Sequence, residues 1–183
     1  MERRREGGGL MAELPLHGKR GEGKVALCDD ADVAFLSQYR WHLSKNGYPR
    51  TRIPEAGTAG RVRDMHQLLT DERGQRYRDH VSGDKLDNRR SNLRACTQQE
   101  NSFNRARHKN NRSGYKGVTR WKGQWRATIT KDGAQLYLGL FPHPVLAAIA
   151  YNAAALALFG PFARVNVLPL VSVAEEVAAD AAD

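Results

Sequence analysis

Strict alternation of apolar and polar positions marks two stretches of the chain as half-buried strands. Trp125, Ala127 and Ile129 fall on one side, and Arg126, Thr128 and Thr130 on the other. Gln135–Gly139 alternates again, with Leu136 and Leu138 inward, and Asp132-Gly133 is a tight-turn signal between them. The pattern then changes to a helix opened by Pro144 and stopped by Gly160-Pro161. Its small alanine face predicts close packing on a sheet, with Val145, Ile149, Leu156 and Phe159 as the larger contacts. Residues 114–167 therefore read as three short antiparallel strands and one helix.

Upstream the signals are mixed. Lys24–Cys28 reads as a strand, and Asp29-Asp30 as a cap on a helical stretch with Val33, Leu36 and Tyr39 apolar. Trp41–Ser44 and Tyr48–Ile53 flank Asn46-Gly47 and predict a hairpin. Met65, Leu68 and Leu69 have helical spacing. Arg76–Val81 and Asn92–Cys96 read as strands, joined by a polar loop in which Gly83 permits positive φ. Thr97-Gln98-Gln99-Glu100 has the form of a capping box, which puts Asn101 in the second turn of a helix. The fold class expected is α+β.

Residues 1–23, rich in Arg, Glu and Gly, are expected to be disordered. The Glu6–Gly9 run resembles a purine-rich ribosome-binding site read as protein, so Met11 is an alternative start. Residues 24–108 form the first expected domain, with its core at 76–108. Residues 109–113 are a basic linker, 114–167 the second domain, and 168–183 an acidic, mobile tail.

Composition sharpens this. The 183 residues carry a net charge of +9, a mean hydropathy of −0.63 and a pI near 9.9. Two small modules fit that better than one large core. The positive surplus favours a polyanionic partner through counterion release. Cys28 and Cys96 are far apart and form no CxxC pair, which argues against structural zinc and a disulfide framework and for a reducing compartment. No apolar run reads as long enough to cross a membrane, and the N-terminus lacks the apolar core of a signal peptide.

The chemistry is concentrated in Asp79-His80, Leu86-Asp87-Asn88-Arg89-Arg90, Ser91-Asn92-Leu93-Arg94 and Thr97–Asn101. These residues resemble the core of HNH nucleases, a ββα-metal fold, and are most similar to the phage and intron homing endonucleases of that superfamily. The spacing of 12 residues from His80 to Asn92 and 9 from Asn92 to Asn101 fits. The resemblance implies that Asp79 and Asn101 offer hard oxygens to Mg²⁺ or Mn²⁺. It implies that His80 is the general base for a water attacking a phosphodiester, and that Asn92 ties the loop of His80. Arg89, Arg90, Arg94 and Arg105 would meet phosphates. His66 matches a histidine often seen upstream in the family and is read here as core; His108 is read as solvated or phosphate-facing.

Gly114–Val118, Trp125, Tyr137-Leu138-Gly139, Phe141, Ala147-Ala148, Ala150-Tyr151, Ala153-Ala154, Phe159-Gly160 and Ala163–Asn166 resemble the Apetala-type, ethylene-response-factor-like DNA-binding domain. In that family the sheet enters the major groove. The resemblance implies a DNA face of Lys116, Arg120, Trp121, Arg126, Thr128, Thr130, Gln135 and Tyr137. The plant proteins carry several Arg on this face; here Thr128, Thr130 and Gln135 are smaller and uncharged, so base preference does not carry over. The expectation is a monomeric, metal-dependent DNA endonuclease of the homing type, acting on double-stranded DNA in bacterial or phage-infected cytoplasm. The alternative is a sequence-specific transcription regulator with a vestigial nuclease. An RNA-binding role is disfavoured, since the sheet lacks the usual stacking motifs.

Overall fold

The computed structural model describes residues 3–6, 9–69, 77–108 and 110–169, with the side chains of 3–6, 9 and 10 outside the description. The chain divides into two compact units, Met1–Asn101 and Ser102–Asp183.

The first unit opens with β1 (Arg3–Glu6), β2 (Gly9–Pro15) and β3 (Val25–Asp29), an antiparallel sheet in that order. The sequence reading expected disorder over residues 1–23; the described part of that range, 3–6 and 9–23, instead holds β1 and β2. Met11, Leu14 and Leu16 are buried, and Ala12 pairs with Cys28 across the sheet. The arginines and glycines hid a strand whose alternate residues supply core. Asp30–Asp32 forms a 3-10 turn that leads into α1 (Val33–Leu36). Trp41, 2% exposed, fills the space behind α1 and donates from Nε1 to the Leu36 carbonyl at 2.9 Å.

β4 (His42–Leu43) and β5 (Pro49–Ile53) form the expected hairpin, and β6 (Arg61–Asp64), which the pattern did not reveal, completes that sheet. Gly47 takes φ 85°, and the Ser44 amide bonds the Tyr48 carbonyl. α2 (Met65–Leu69) follows. The core of the unit gathers Ala12, Leu14, Leu16, Ala26, Cys28, Leu36, Trp41, Met65 and Leu69.

β7 (Tyr77–His80) and β8 (Leu93–Cys96) are an antiparallel pair, and α3 (Gln98–Phe103) follows at once. The start of the expected strand at Arg76 lies outside the described residues. The capping box is present: Thr97 Oγ1 accepts from the Glu100 amide at 3.1 Å, and Glu100 Oε2 from the Thr97 amide at 2.7 Å. Asn92 ends a 3-10 turn, Arg90–Asn92, rather than starting β8.

The second unit has β9 (Val118–Trp121), β10 (Gln124–Lys131) and β11 (Ala134–Phe141), with β10 central, and α4 (Pro144–Phe159) against them. α4 rests on Val145, Ala147, Ala148, Tyr151, Ala155 and Phe159. Ile149 and Leu156, expected as contacts, are 37% and 58% exposed. The small residues let the helix sit close, which turns the bulkier side chains outward. Leu136 is also 41% exposed, on an edge strand, although it pairs with buried Ile129. The helical stretch Pro144–Phe162 is long and apolar enough to cross a membrane, contrary to the sequence reading. Its stripe of buried residues makes it the core helix of this unit. Gly117 has no substitute: at φ 75° an added Cβ would lie 2.1 Å from the Tyr151 ring.

Candidate active site

Register places Asp79 and His80 at the end of β7, opposite Arg94 and Leu93. Alternation then turns the two side chains to opposite faces. Asp79, 6% exposed, is met by Arg94: Nε at 3.0 Å and Nη2 at 2.5 Å, both on Oδ2. The arginine expected at phosphate is thus held by the carboxylate expected at metal.

His80, 4% exposed, sits in a cluster of rings. His66 lies edge-on to it at 5.1 Å between centroids, and Tyr48 at 5.9 Å. His66 comes from α2 and is 8% exposed, so it is core as expected, but core that touches His80. Burial, then the nearby His80, pulls the His66 pKa down to about 4. Burial also lowers that of His80, against an opposing hydrogen bond from Asn88. Both rings are neutral at neutral pH, the state required of a proton acceptor.

Asn88 is the residue that the sequence reading missed as an individual. Fully buried, it donates from Nδ2 to the carbonyls of Lys85 and Leu86 at 3.3 and 3.1 Å. That fixes which way the amide faces and leaves Oδ1 toward His80 Nε2 at 3.4 Å. His80 then carries its proton on Nε2, and Nδ1 is the nitrogen able to accept one. The loop is anchored from β3, where Leu27 donates its N–H to the Leu86 carbonyl and accepts from the Asn88 N–H, a parallel bridge across Asp87. No spacing rule in the sequence signals this long-range pairing.

Asn92 ties the same loop. Its Oδ1 accepts from the Ser82 amide at 2.9 Å, its Nδ2 donates to the Asp87 carbonyl at 2.8 Å, and its carbonyl accepts from Val81. Arg89 forks onto Asp87 and Arg90 onto Asp32, each through two hydrogen bonds. Of the four arginines expected at phosphate, Arg105 alone among the described residues forms no carboxylate pair.

Asn101 lies on α3, half-buried; its backbone N–H bonds the Thr97 carbonyl at 3.0 Å, and among the described residues its side-chain carboxamide makes no hydrogen bond. Asp79 and Asn101 offer an anionic and a neutral hard oxygen, a donor set that fits Mg²⁺ or Mn²⁺. Among the described residues no three or more His, Cys, Asp or Glu cluster in the manner of a metal cage.

In the second unit, cross-strand register sets the outer sheet face. Trp121 pairs with Gln124, Thr119 with Arg126, Arg126 with Leu140, Thr128 with Tyr137 and Thr130 with Gln135. Trp121 and Tyr137 are 45% and 62% exposed, and the Arg126 guanidinium lies 4.8 Å from the Trp121 ring centre. Two expected members lie elsewhere. Arg120 pairs with Trp125 and shares the opposite side of the sheet, its guanidinium 5.3 Å from that ring. Lys116 precedes β9 and turns inward, donating to the Phe103 carbonyl at 2.7 Å. Asn166 clamps its backbone from both sides, and Asn152 on α4 clamps Asn166 in turn.

A model of the HNH endonuclease family matches residues 79–103. An uncharacterized HNH endonuclease of Acanthamoeba polyphaga mimivirus is 32% identical over 149 residues, 80% of this chain and 77% of that protein. Protein 3.8 of Escherichia phage T7 is 40% identical over 62 residues, 32% of this chain and half of that protein. A dehydration-responsive element-binding protein 2A of Oryza sativa subsp. indica is 47% identical over 60 residues, 31% of this chain and 22% of that protein. No solved structure matches significantly.

Proposed function

The chain belongs to the HNH endonuclease family, and on that premise we propose that it is a metal-dependent, homing-type endonuclease of double-stranded DNA. The observation that carries the reading is the buried, neutral His80, oriented by Asn88 at the mouth of a loop that Asn92 holds closed.

His80 Nδ1 takes the proton from the attacking water, while Asn88 keeps the other ring nitrogen protonated. Asn92 fixes the loop that carries His80. Asp79 and Asn101 would hold a divalent ion, which when bound would supply positive charge to offset that of the phosphate and the leaving oxygen. Arg94 orients Asp79 and shares its negative charge. The core is then the ββα unit of β7, β8 and α3, and the second unit is a docking domain of the Apetala type.

Its outer face supports docking on DNA because Arg126 stacks on Trp121 between exposed polar and aromatic groups. The partial similarity to plant element-binding proteins agrees with that role. A monomer in the cytoplasm of a bacterial or phage-infected cell completes the reading. The transcription-regulator alternative is disfavoured by the retained cluster of His80, Asn88 and Asn92. Supercoiled plasmid incubated with Mg²⁺ or with EDTA tests the proposal. Conversion to nicked or linear DNA in Mg²⁺ alone is expected; equal conversion in EDTA refutes it.

A further inference from the structure

Between residues 102 and 169 the chain has ten Lys and Arg against one carboxylate, Asp132, a surplus as large as that of the whole protein. Part of this charge lines a cavity of about 480 Å³. β9 pairs only with Gln124–Ala127, so it leaves the edge of β10 uncovered from Thr128 onward. Gly117 takes the first place on that edge, its carbonyl accepting from the Thr128 amide at 2.8 Å. The stretch from Ser102 to His108 forms the far wall. Lys116, Arg105, Arg107 and His108 line the space, and among the described residues no carboxylate does. Thr128, Thr130 and Gln135 also line it. Those three belong to the outer sheet face, so the cavity opens onto that face.

Lys116 is the telling residue. Its ammonium has three N–H donors; one meets the Phe103 carbonyl, and the Tyr151 ring lies 6.0 Å away. Among the described residues, the charged or titratable groups around it are Arg164, Tyr151 on α4, and Arg105, Arg107 and His108 across the cavity. None is an anion at neutral pH. Burial, then Arg164, pulls the Lys116 pKa down to about 8. A cation withdrawn from water without an anion is costly, and a bound anion removes that cost.

We propose that this cavity seats a stretch of DNA sugar–phosphate backbone that runs off the outer sheet face, with Lys116 and Arg105 as its phosphate contacts. This rests on reading that face as a DNA-docking surface. The space is larger than a lone phosphate needs, and Tyr151 and Phe159 give it an apolar wall suited to a sugar. An inserted base has less to stack on, because the Phe103 and Phe159 rings already stack on each other at 3.8 Å.

The test uses the full chain, EDTA to prevent cleavage, and a random-sequence duplex, with affinity measured between about 50 and 200 mM salt. Lys116→Gln and Arg105→Gln should each reduce the slope of log affinity against log salt by about 0.9, and the pair by about 1.8. Lys116→Arg should keep the slope. Near pH 8.5, binding should draw a fraction of a proton onto Lys116, seen in calorimetry as a dependence on buffer ionisation heat, and Lys116→Gln should abolish it. A merely structural lysine would move neither readout. Arg105 is exposed, so its variant remains informative even if Lys116→Gln perturbs folding. Arg126→Ala with Tyr137→Ala tests the sheet itself. If that pair weakens binding while the cavity pair leaves the slope unchanged, the cavity is not the seat and the sheet reading stands. If the sheet pair binds as wild type, the reading beneath this proposal falls with it.

Discussion

Replacing Asn92 by Ala removes two hydrogen bonds at a site 7% exposed. The Ser82 amide loses its acceptor and the Asp87 carbonyl its donor. An unsatisfied buried polar group costs about 1–3 kcal/mol. Ser82 is exposed enough for water to replace its partner, whereas Asp87 is buried. The sum is therefore about 2–4 kcal/mol, with most of it at Asp87. Asn92→Asp separates the two terms. It keeps an acceptor for Ser82 but sets a carboxylate oxygen against the Asp87 carbonyl, so at pH 7 it should be at least as unstable as Asn92→Ala. A protonated carboxyl can donate again, so the deficit of Asn92→Asp relative to wild type should shrink as pH falls toward 5. Urea unfolding followed by circular dichroism gives the energies, and hydrogen exchange at the Ser82 amide shows whether the bond is lost. An Asn92→Ala protein within about 0.5 kcal/mol of wild type, with Ser82 still protected, would refute the argument.

Other outcomes follow from the same geometry. His66 titrates near 6.5 when unfolded and at about 4 when folded. The unfolded state therefore binds more protons between those values, and stability present above pH 6.5 is lost as pH falls toward 4, by about 3 kcal/mol. His66→Phe should flatten this limb of a stability-against-pH curve. Asn88→Asp sets a negative charge beside His80 and favours the imidazolium, so the acid limb of kcat/KM should move to higher pH while DNA affinity changes little. Gly117→Ala meets the Tyr151 ring and a positive φ together, and should lower the melting temperature of the second unit. Asp79→Ala should weaken Mn²⁺ binding in calorimetry and leave half-buried Arg94 without its carboxylate.

The parts legible in the sequence are those where a local rule decides. The capping box at Thr97–Glu100, the glycine turn at Gly47 and the alternation of β10 all depend on near neighbours. What escaped is settled at long range. β2 looked like a disordered leader until Ala12, Leu14 and Leu16 found their partners on β3 and in the core. α4 is apolar on every side, so its sequence has no periodicity to tell buried Ala147 and Ala155 from exposed Leu156. The pattern of β10 separated its own two faces, but only strand register could show that Arg120 lies beside Trp125 rather than beside Arg126. The ion pair between Asp79 and Arg94 is likewise a matter of cross-strand register. Asn88 is one polar residue in a polar loop, and its importance comes from β3, some sixty residues upstream.

The most direct test of the account is single-turnover cleavage of plasmid DNA in Mg²⁺ by wild type and His80→Ala, with DNA affinity measured in parallel. His80→Ala should bind DNA as wild type does and lose cleavage by about 100-fold or more, because a general base acts on the transition state and not on the ground-state complex. Cleavage by His80→Ala at the wild-type rate would contradict it.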